Sequence, residues 1–326
     1  MVVTEAAGVD TWKLLWHVDP DGFAADQMRS MATVKSKRGY LVPQELHGVA
    51  GHQVGFYPAA GVIYAEGHPA QADALCSPAD LVTAFKSVEG ELLEADVPLP
   101  GGLDMTDFYG ERYYGFGGVA RLDSTLNLRT SSTAEGVAIM SGVAALLGQV
   151  GKQELWRQRG RLETVTMHGH AGKRVLGRWY DKGLEAGTAP LGRLLRPEDQ
   201  RRWEKSVRRE VSELTPSYVR SKFHDRFVPL WRASKGVTVA GPLVIAGKLK
   251  DAVESGAITA HAADRLAGFM VMEQVGLPRP ARTRRRRRAE VVELGLVLAD
   301  GVLEEVEIEL EEVLEACLDA EGWGIG

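Results

Sequence analysis

The sequence predicts an α+β protein, with strand-rich segments over most of the first 235 residues and a helical C-terminal region beyond them. Three observations predict it. Runs of bulky, β-favouring residues bounded by Gly, Pro and Asp recur through the first 130 residues. One of these runs, residues 119–129, alternates between a mostly apolar and a polar set of positions. Residues 242–255 and 257–275 read as two helices joined by a Gly-containing turn.

Taken in order, residues 11–18 (TWKLLWHV) form a strand candidate that ends at the turn sequence Asp19-Pro20-Asp21-Gly22. Residues 54–58 and 62–66 are short strands separated by Ala59-Ala60-Gly61. A helix follows, with Ser77 as N-cap, Pro78 at the first helical position and Leu81, Phe85 and Val88 at helical spacing. In residues 119–129, Ala120, Leu122, Ser124, Leu126 and Leu128 point one way, and Arg121, Asp123, Thr125, Asn127 and Arg129 the other. Residues 134–150 and a run around 197–208 read as helical and flank a hairpin: strand 161–168, loop 169–172, strand 173–180. Residues 207–214 fit strand or helix equally. The organisation expected is residues 1–235 as one unit, 236–288 as a helical region ending in a flexible basic arm, and 289–326 as an acidic tail.

With 326 residues, 44% hydrophobic and 25% charged, the chain can bury a core. No apolar run is long enough for a membrane span, and no secretory signal is visible, so a cytoplasmic location is expected. Cys76 and Cys317 lie far apart without CxxC partners, which argues against a disulfide framework or a cysteine-only zinc site and for two neutral thiols. The net charge of −5 hides opposed blocks. Residues 1–150 carry −9, 151–235 carry +10, 236–288 carry +6 and 289–326 carry −12. Such asymmetry points to a polyanion partner for the middle of the chain.

Three sets of residues in that chain could do chemistry. Tyr180 lies in Arg178-Trp179-Tyr180-Asp181-Lys182, where flanking cations favour a phenolate and stabilise charge on a phosphate; the alternative is a packed tyrosine with basic surface neighbours. Glu66, Asp123 and Glu210 are carboxylates in strand-like segments; if they converge they make a hard oxygen site for Mg²⁺ or Mn²⁺, and otherwise they pair with nearby arginines. His168 and His170 flank a glycine at a spacing that allows a shared metal, although a phosphate contact or a solvated loop suits them better. The five consecutive arginines at 284–288, Arg284, Arg285 and Arg286 among them, suit DNA phosphates.

Over residues 50–232 the sequence resembles the trans-acting replication initiators of rolling-circle plasmids, which are similar to filamentous-type phage initiators. Four segments carry the resemblance: Ile63-Tyr-Ala-Glu66-Gly-His-Pro69; Val119-Ala-Arg-Leu-Asp123; Thr166-Met-His-Gly169 with Arg178-Trp-Tyr180-Asp-Lys182; and Trp203 with Val207-Arg-Arg-Glu210-Val. Met167 stands where the family has a tyrosine, and His170-Ala171-Gly172 replaces a Ser/Arg turn. The resemblance implies a central antiparallel sheet with flanking helices, akin to the His-hydrophobe-His nickases in a degenerate form. It implies Tyr180 as nucleophile on origin DNA, Arg178 and Lys182 neutralising the phosphate, and Glu66, Asp123 and Glu210 holding the divalent metal. Arg121, Arg174, His168, His170 and Arg208 would contact DNA, with a host helicase as partner and a homodimer possible. The rival reading is a DNA-binding protein, such as a repressor, that keeps the fold without cutting. A carbohydrate- or metabolite-processing enzyme has only the seven tryptophans and scattered carboxylates in its favour.

Overall fold

The computed structural model describes residues 3–32, 34–36, 39–42, 53–67, 75–99, 115–150, 153–158, 161–169, 172–185, 193–203, 209–274, 280–299, 305–320 and 323, some of them by backbone alone. In chain order the elements are β1 (Val3–His17), α1 (Phe23–Met31), β2 (Val34–Ser36), β3 (Gly39–Val42), β4 (Gln53–Tyr57), β5 (Val62–Gly67), α2 (Pro78–Glu94), β6 (Gly115–Arg129) and α3 (Thr133–Val150). Then come β7 (Gln153–Gln158), β8 (Arg161–Gly169), β9 (Gly172–Asp181), α4 (Lys182–Glu185), β10 (Leu194–Arg202) and α5 (Pro216–Ala233). The C-terminal part holds β11 (Thr238–Ala240), α6 (Pro242–Glu254), α7 (Ala260–Gln274), α8 (Ala281–Glu293), β12 (Leu296–Leu298), β13 (Glu307–Glu309) and α9 (Leu310–Leu318).

One antiparallel sheet of ten strands organises the molecule, in the order β2-β3-β4-β5-β1-β6-β10-β9-β8-β7. Period-2 alternation decides what each face holds. One face is largely apolar: Trp12, Leu14, Trp16, Ile63, Phe56, Leu122, Leu126, Val165 and Trp179 are buried there, with Asp199 among them paired to Arg201 and to Arg226 of α5. The helices α1, α2, α3 and α5 pack on the apolar side. Trp16 stacks on Phe85 of α2 at 5.9 Å, and Trp179 meets Phe227 of α5 edge-on at 6.0 Å. The predicted start of α2 is present as a full capping box: Asp80 N–H donates to Ser77 Oγ at 3.2 Å, and Ser77 N–H to Asp80 Oδ2 at 2.6 Å. The strand 119–129 and helix 134–150 are likewise found, as parts of β6 and α3. The expected faces hold from Arg121 onward, but a register shift opposite Lys13/Leu14 turns Val119 into the core and Ala120 to the other side, against Leu15, Val62 and Tyr64.

Three expectations about local structure between residues 197 and 288 are corrected. The segment around 197–208 is not helical up to residue 202: it is β10, a central strand between β6 and β9. Pro197-Glu198-Asp199 carries a helix-start signature, proline followed by acids. Tertiary pairing overrides it, with Thr125 Oγ1 donating to the Pro197 carbonyl at 2.8 Å. Residues 211–213 are a 3₁₀ turn rather than strand or helix proper. The arginine run is no flexible arm either. It lies on α8, where Arg287 and Arg286 pair with Glu290 and Arg288 with Glu273, while Arg284, Arg285 and Arg286 remain exposed to solvent.

The acidic segment packs on the core instead of trailing from it. The 288/289 boundary falls inside α8, and β11 pairs with β12 in parallel and with β13 antiparallel. Leu310, Val313, Leu314 and Cys317 are buried in the same core as the large sheet, and Trp323 packs on Phe223 at 4.9 Å. The acidic residues of β13 and α9 occupy the outward positions, so both properties fit one amphipathic segment. Gly142 in α3 is the point of closest approach: a Cβ there would lie 2.5 Å from Val239 and 2.9 Å from Leu310. We therefore expect Gly142→Val to lower stability by about 1–3 kcal/mol through overpacking. Gly90→Ala, in open space on α2, should raise it by about 0.5–1 kcal/mol. Urea melts of both variants check this, and equal shifts would remove the docking of α3 on the C-terminal segment.

Candidate active site on the polar sheet face

The opposite face of the sheet is polar and, among the described residues, carries no long helix. Register sets its residues in cross-strand rungs, because directly opposed residues share a face. One rung is Gln53–Glu66–Lys13–Arg121–Arg202. The next is Thr11–Asp123–Gln200–Leu176–His168. A third is Gly8–Thr125–Glu198–Arg178–Thr166–Glu154. A fourth is Arg196–Tyr180–Thr164–Trp156.

The rungs build a buried acidic floor under a basic rim. Asp123 and Glu198 are both 0% exposed. Arg121 grips Asp123 from Nε at 3.0 Å and from Nη2 at 2.5 Å, and Gln200 Nε2 adds a bond at 3.1 Å. Arg178 holds Glu198 Oε1 from Nε at 3.0 Å and from Nη2 at 2.5 Å. The outer parts of Arg121 and Arg178 reach solvent. Burial pushes Glu198 up to about 7, with Asp123 adding to the rise and Arg178 opposing it. Burial also raises Asp123 above the ordinary carboxylate range, against the pull of Arg121.

Tyr180 sits within this arrangement. Its hydroxyl donates to Glu198 Oε2 at 3.2 Å, and its ring lies 5.3 Å from the Arg178 guanidinium and 5.8 Å from Lys182 Nζ. Asp181 orients the segment by accepting from the Leu184 N–H at 3.1 Å, which starts the short turn α4. Tyr180 is 2% exposed. Burial, then the charges of Glu198 and Asp10, hold the phenol well above its usual range, against Arg196 and Arg178. The expectation that nearby cations favour a phenolate is thus reversed. The group is a neutral phenol beside a carboxylate that titrates near neutrality.

The three expected metal ligands do not converge. Glu66 pairs with Lys13 at 2.9 Å and with Arg121 at 3.3 Å, so Arg121 stands between Glu66 and Asp123 where a cation would stand. Glu210 begins the 3₁₀ turn at 211–213, where its carboxylate accepts from Ser212 at 3.4 Å and its N–H donates to Glu213. Among the described residues no group of three His, Cys, Asp or Glu side chains is arranged to hold one metal ion. The donor set as folded does not fit a divalent cation, because the Arg121 guanidinium already satisfies Asp123.

Of the expected DNA contacts, Arg121, Arg178 and Lys182 are brought to this face. His168 lies on it by register, and Arg174 lies on β9, but neither side chain is described; His170 and Arg208 lie outside the described residues. Arg284, Arg285 and Arg286 are on α8, away from the rungs. Glu198, Asp10 and Arg196 went unforeseen. Arg196 is wholly buried, bonded to Asp10 Oδ1 at 2.5 Å and Asn127 Oδ1 at 2.9 Å. No periodic signal marked them: residues 198–202 (EDQRR) are polar at every position, so neither strand nor helix spacing stands out. Both cysteines are buried free thiols, as expected. No helix among the described residues is long and apolar enough to cross a membrane.

No protein-family model matches this sequence, and no curated protein matches it. One solved structure, that of a rolling circle replication initiator protein from Geobacillus stearothermophilus, is similar at 12% identity and a TM-score of 0.27, over 63% of this chain and 76% of that one.

Proposed function

We propose that this protein nicks and rejoins one strand of DNA through a phosphotyrosine at Tyr180, and so starts rolling-circle replication from its origin. The observation that carries the reading is the Tyr180–Glu198 hydrogen bond at 3.2 Å, with Glu198 titrating at about 7 under a rim of arginines. A neutral phenol needs a base, and a base works best when its own titration lies near the working pH. Ionised Glu198 takes the phenol proton as Tyr180 Oη attacks phosphorus. The Oη–P bond forms, the P–O3′ bond breaks, and the leaving 3′ oxygen takes a proton from water. Arg178 and Lys182 lie over the ring and swing onto the phosphate, which both uncovers the hydroxyl and neutralises the charge that develops. Rejoining reverses each step, with protonated Glu198 returning its proton to the phenolate. The sequence motifs around Tyr180 that resemble plasmid initiators support origin DNA as the substrate.

Burial of Tyr180 favours one second reading, a protein that binds origin DNA on this face without cutting it. Both readings require the basic rim to meet phosphates. We expect affinity for DNA to fall linearly in log–log against salt, by about 0.7–0.9 per phosphate contact, because counterions are released; a flat titration removes both. The deciding experiment incubates the protein with supercoiled DNA carrying its own gene neighbourhood and looks for a nicked circle with protein attached covalently. Its absence under every metal and pH condition leaves the second reading.

A further inference from the structure

We propose that Trp156 is a stacking platform for a nucleobase next to the scissile phosphate, so that the polar sheet face holds single-stranded DNA by a base as well as by its backbone. The inference rests on the DNA reading above. Trp156 is 62% exposed on β7, an edge strand of the sheet. Trp12, Trp16, Trp179 and Trp323, by contrast, are 0–3% exposed. Its neighbour Leu155 turns to the helix side, opposite Val165 and then Trp179 of the core. Trp156 therefore turns to the polar side, with Tyr180.

Register places it in line with the nucleophile. Trp156 opposes Thr164, and Thr164 opposes Tyr180; the β7–β8 register shifts only past this pair, between Trp156 and Arg157. Two strand steps of about 4.8 Å put the two rings roughly 10 Å apart. The residue between them is a threonine, too short to block a strand laid across it. A nucleotide flanking the attacked phosphate can bridge that distance.

Charge along the rungs assigns the two ends. Arg178, Lys182 and Arg121 stand on the Tyr180 side and suit phosphates. On β7 the same face carries the acidic Glu154, two positions from Trp156, and not a cation. The β7 end thus suits the uncharged part of a nucleotide, and every base has a π-face for an indole to meet. Stacking of this kind tolerates any sequence, so the platform would position the strand while leaving recognition of the origin to other contacts.

The test uses the full-length protein and a fluorescein-labelled single-stranded oligonucleotide of mixed sequence, with a counterpart of the same backbone carrying abasic sites throughout. Wild-type protein should prefer the base-bearing strand. Trp156→Ala should weaken binding to that strand by roughly 5- to 100-fold, the range base–aromatic stacking supplies, and leave binding to the abasic strand unchanged. Trp156→Phe should retain most of the preference, which separates a lost ring from a disturbed edge strand. The base-bearing strand should also shield wild-type tryptophan emission from acrylamide. Equal losses on both strands, or none, overturn the platform. If wild-type protein binds neither strand, the platform falls together with the DNA reading. If base-dependent binding through Trp156 is found but Tyr180→Phe cuts as well as wild type, the nucleophile assignment fails and the platform stands.

Discussion

Tyr180→Phe is expected to abolish formation of the nicked, protein-linked circle while DNA binding stays within about twofold of wild type. The loss should be on the order of 10⁴-fold or more, the scale on which an enzyme loses rate when its nucleophile is removed. Phenylalanine fills the same buried space and keeps the ring faces against which Arg178 and Lys182 rest, so the basic rim survives. One hydrogen bond to Glu198 is lost, costing about 0.5–1.5 kcal/mol. Glu198 keeps both bonds from Arg178, so it is not stranded. A thermal melt of the variant separates a folding defect from a chemical one. Cleavage at the wild-type rate by a folded Tyr180→Phe protein would mean that another group attacks phosphorus. Loss of binding together with cleavage would mean that the hydroxyl serves the structure and not the chemistry.

The sheet was legible where local pattern and tertiary pairing agree. Residues 119–129 alternate because one face of β6 meets the core and the other the polar rungs, so sequence alone sorts Leu122 and Leu126 from Asp123 and Asn127. Ser77 and Pro78 mark α2 because capping is a local event. The segment 194–202 was not legible, since Pro197-Glu198-Asp199 satisfies the local rules for a helix start while β6 and β9 on either side demand a strand. That single misreading hid Glu198, the partner of Tyr180, because on a helix it has no relation to either Tyr180 or Arg178. Misreading the acidic segment had a similar origin. Charge summed over 289–326 describes composition, whereas burial of Leu310, Leu314 and Cys317 depends on which positions alternate inward. For the carboxylates, sequence shows their presence on strands but not that Arg121 inserts between Glu66 and Asp123. Ion pairing and metal ligation draw on the same residue types, and only geometry separates them.

Glu198→Gln should slow cleavage by about 10²- to 10⁴-fold and remove the pH dependence that marks its role. In wild type the working form is the ionised carboxylate, which receives the phenol proton. Cleavage should therefore rise as pH passes through about 7, where Glu198 loses its proton. Glutamine cannot take that proton at any pH, so the variant's residual rate should be flat over the same window. Stability runs the other way. Glu198 holds its proton more tightly folded than unfolded, so its contribution is fully present below the ordinary glutamate range and is lost as pH rises through about 7. Wild-type protein should thus lose stability between roughly pH 4.3 and 7, just where it gains activity, and the variant should show neither trend from this site. Arg178 loses its counter-charge in the variant, but its outer part already reaches solvent and can relax into water. The paired trends distinguish a base from a structural carboxylate, because a residue that only anchors Arg178 would give the stability slope without the activity slope. A wild-type rate that is flat across pH 7, or a slope that persists in Glu198→Gln, would place the proton acceptor elsewhere on the sheet face, with Asp123 the next buried carboxylate available.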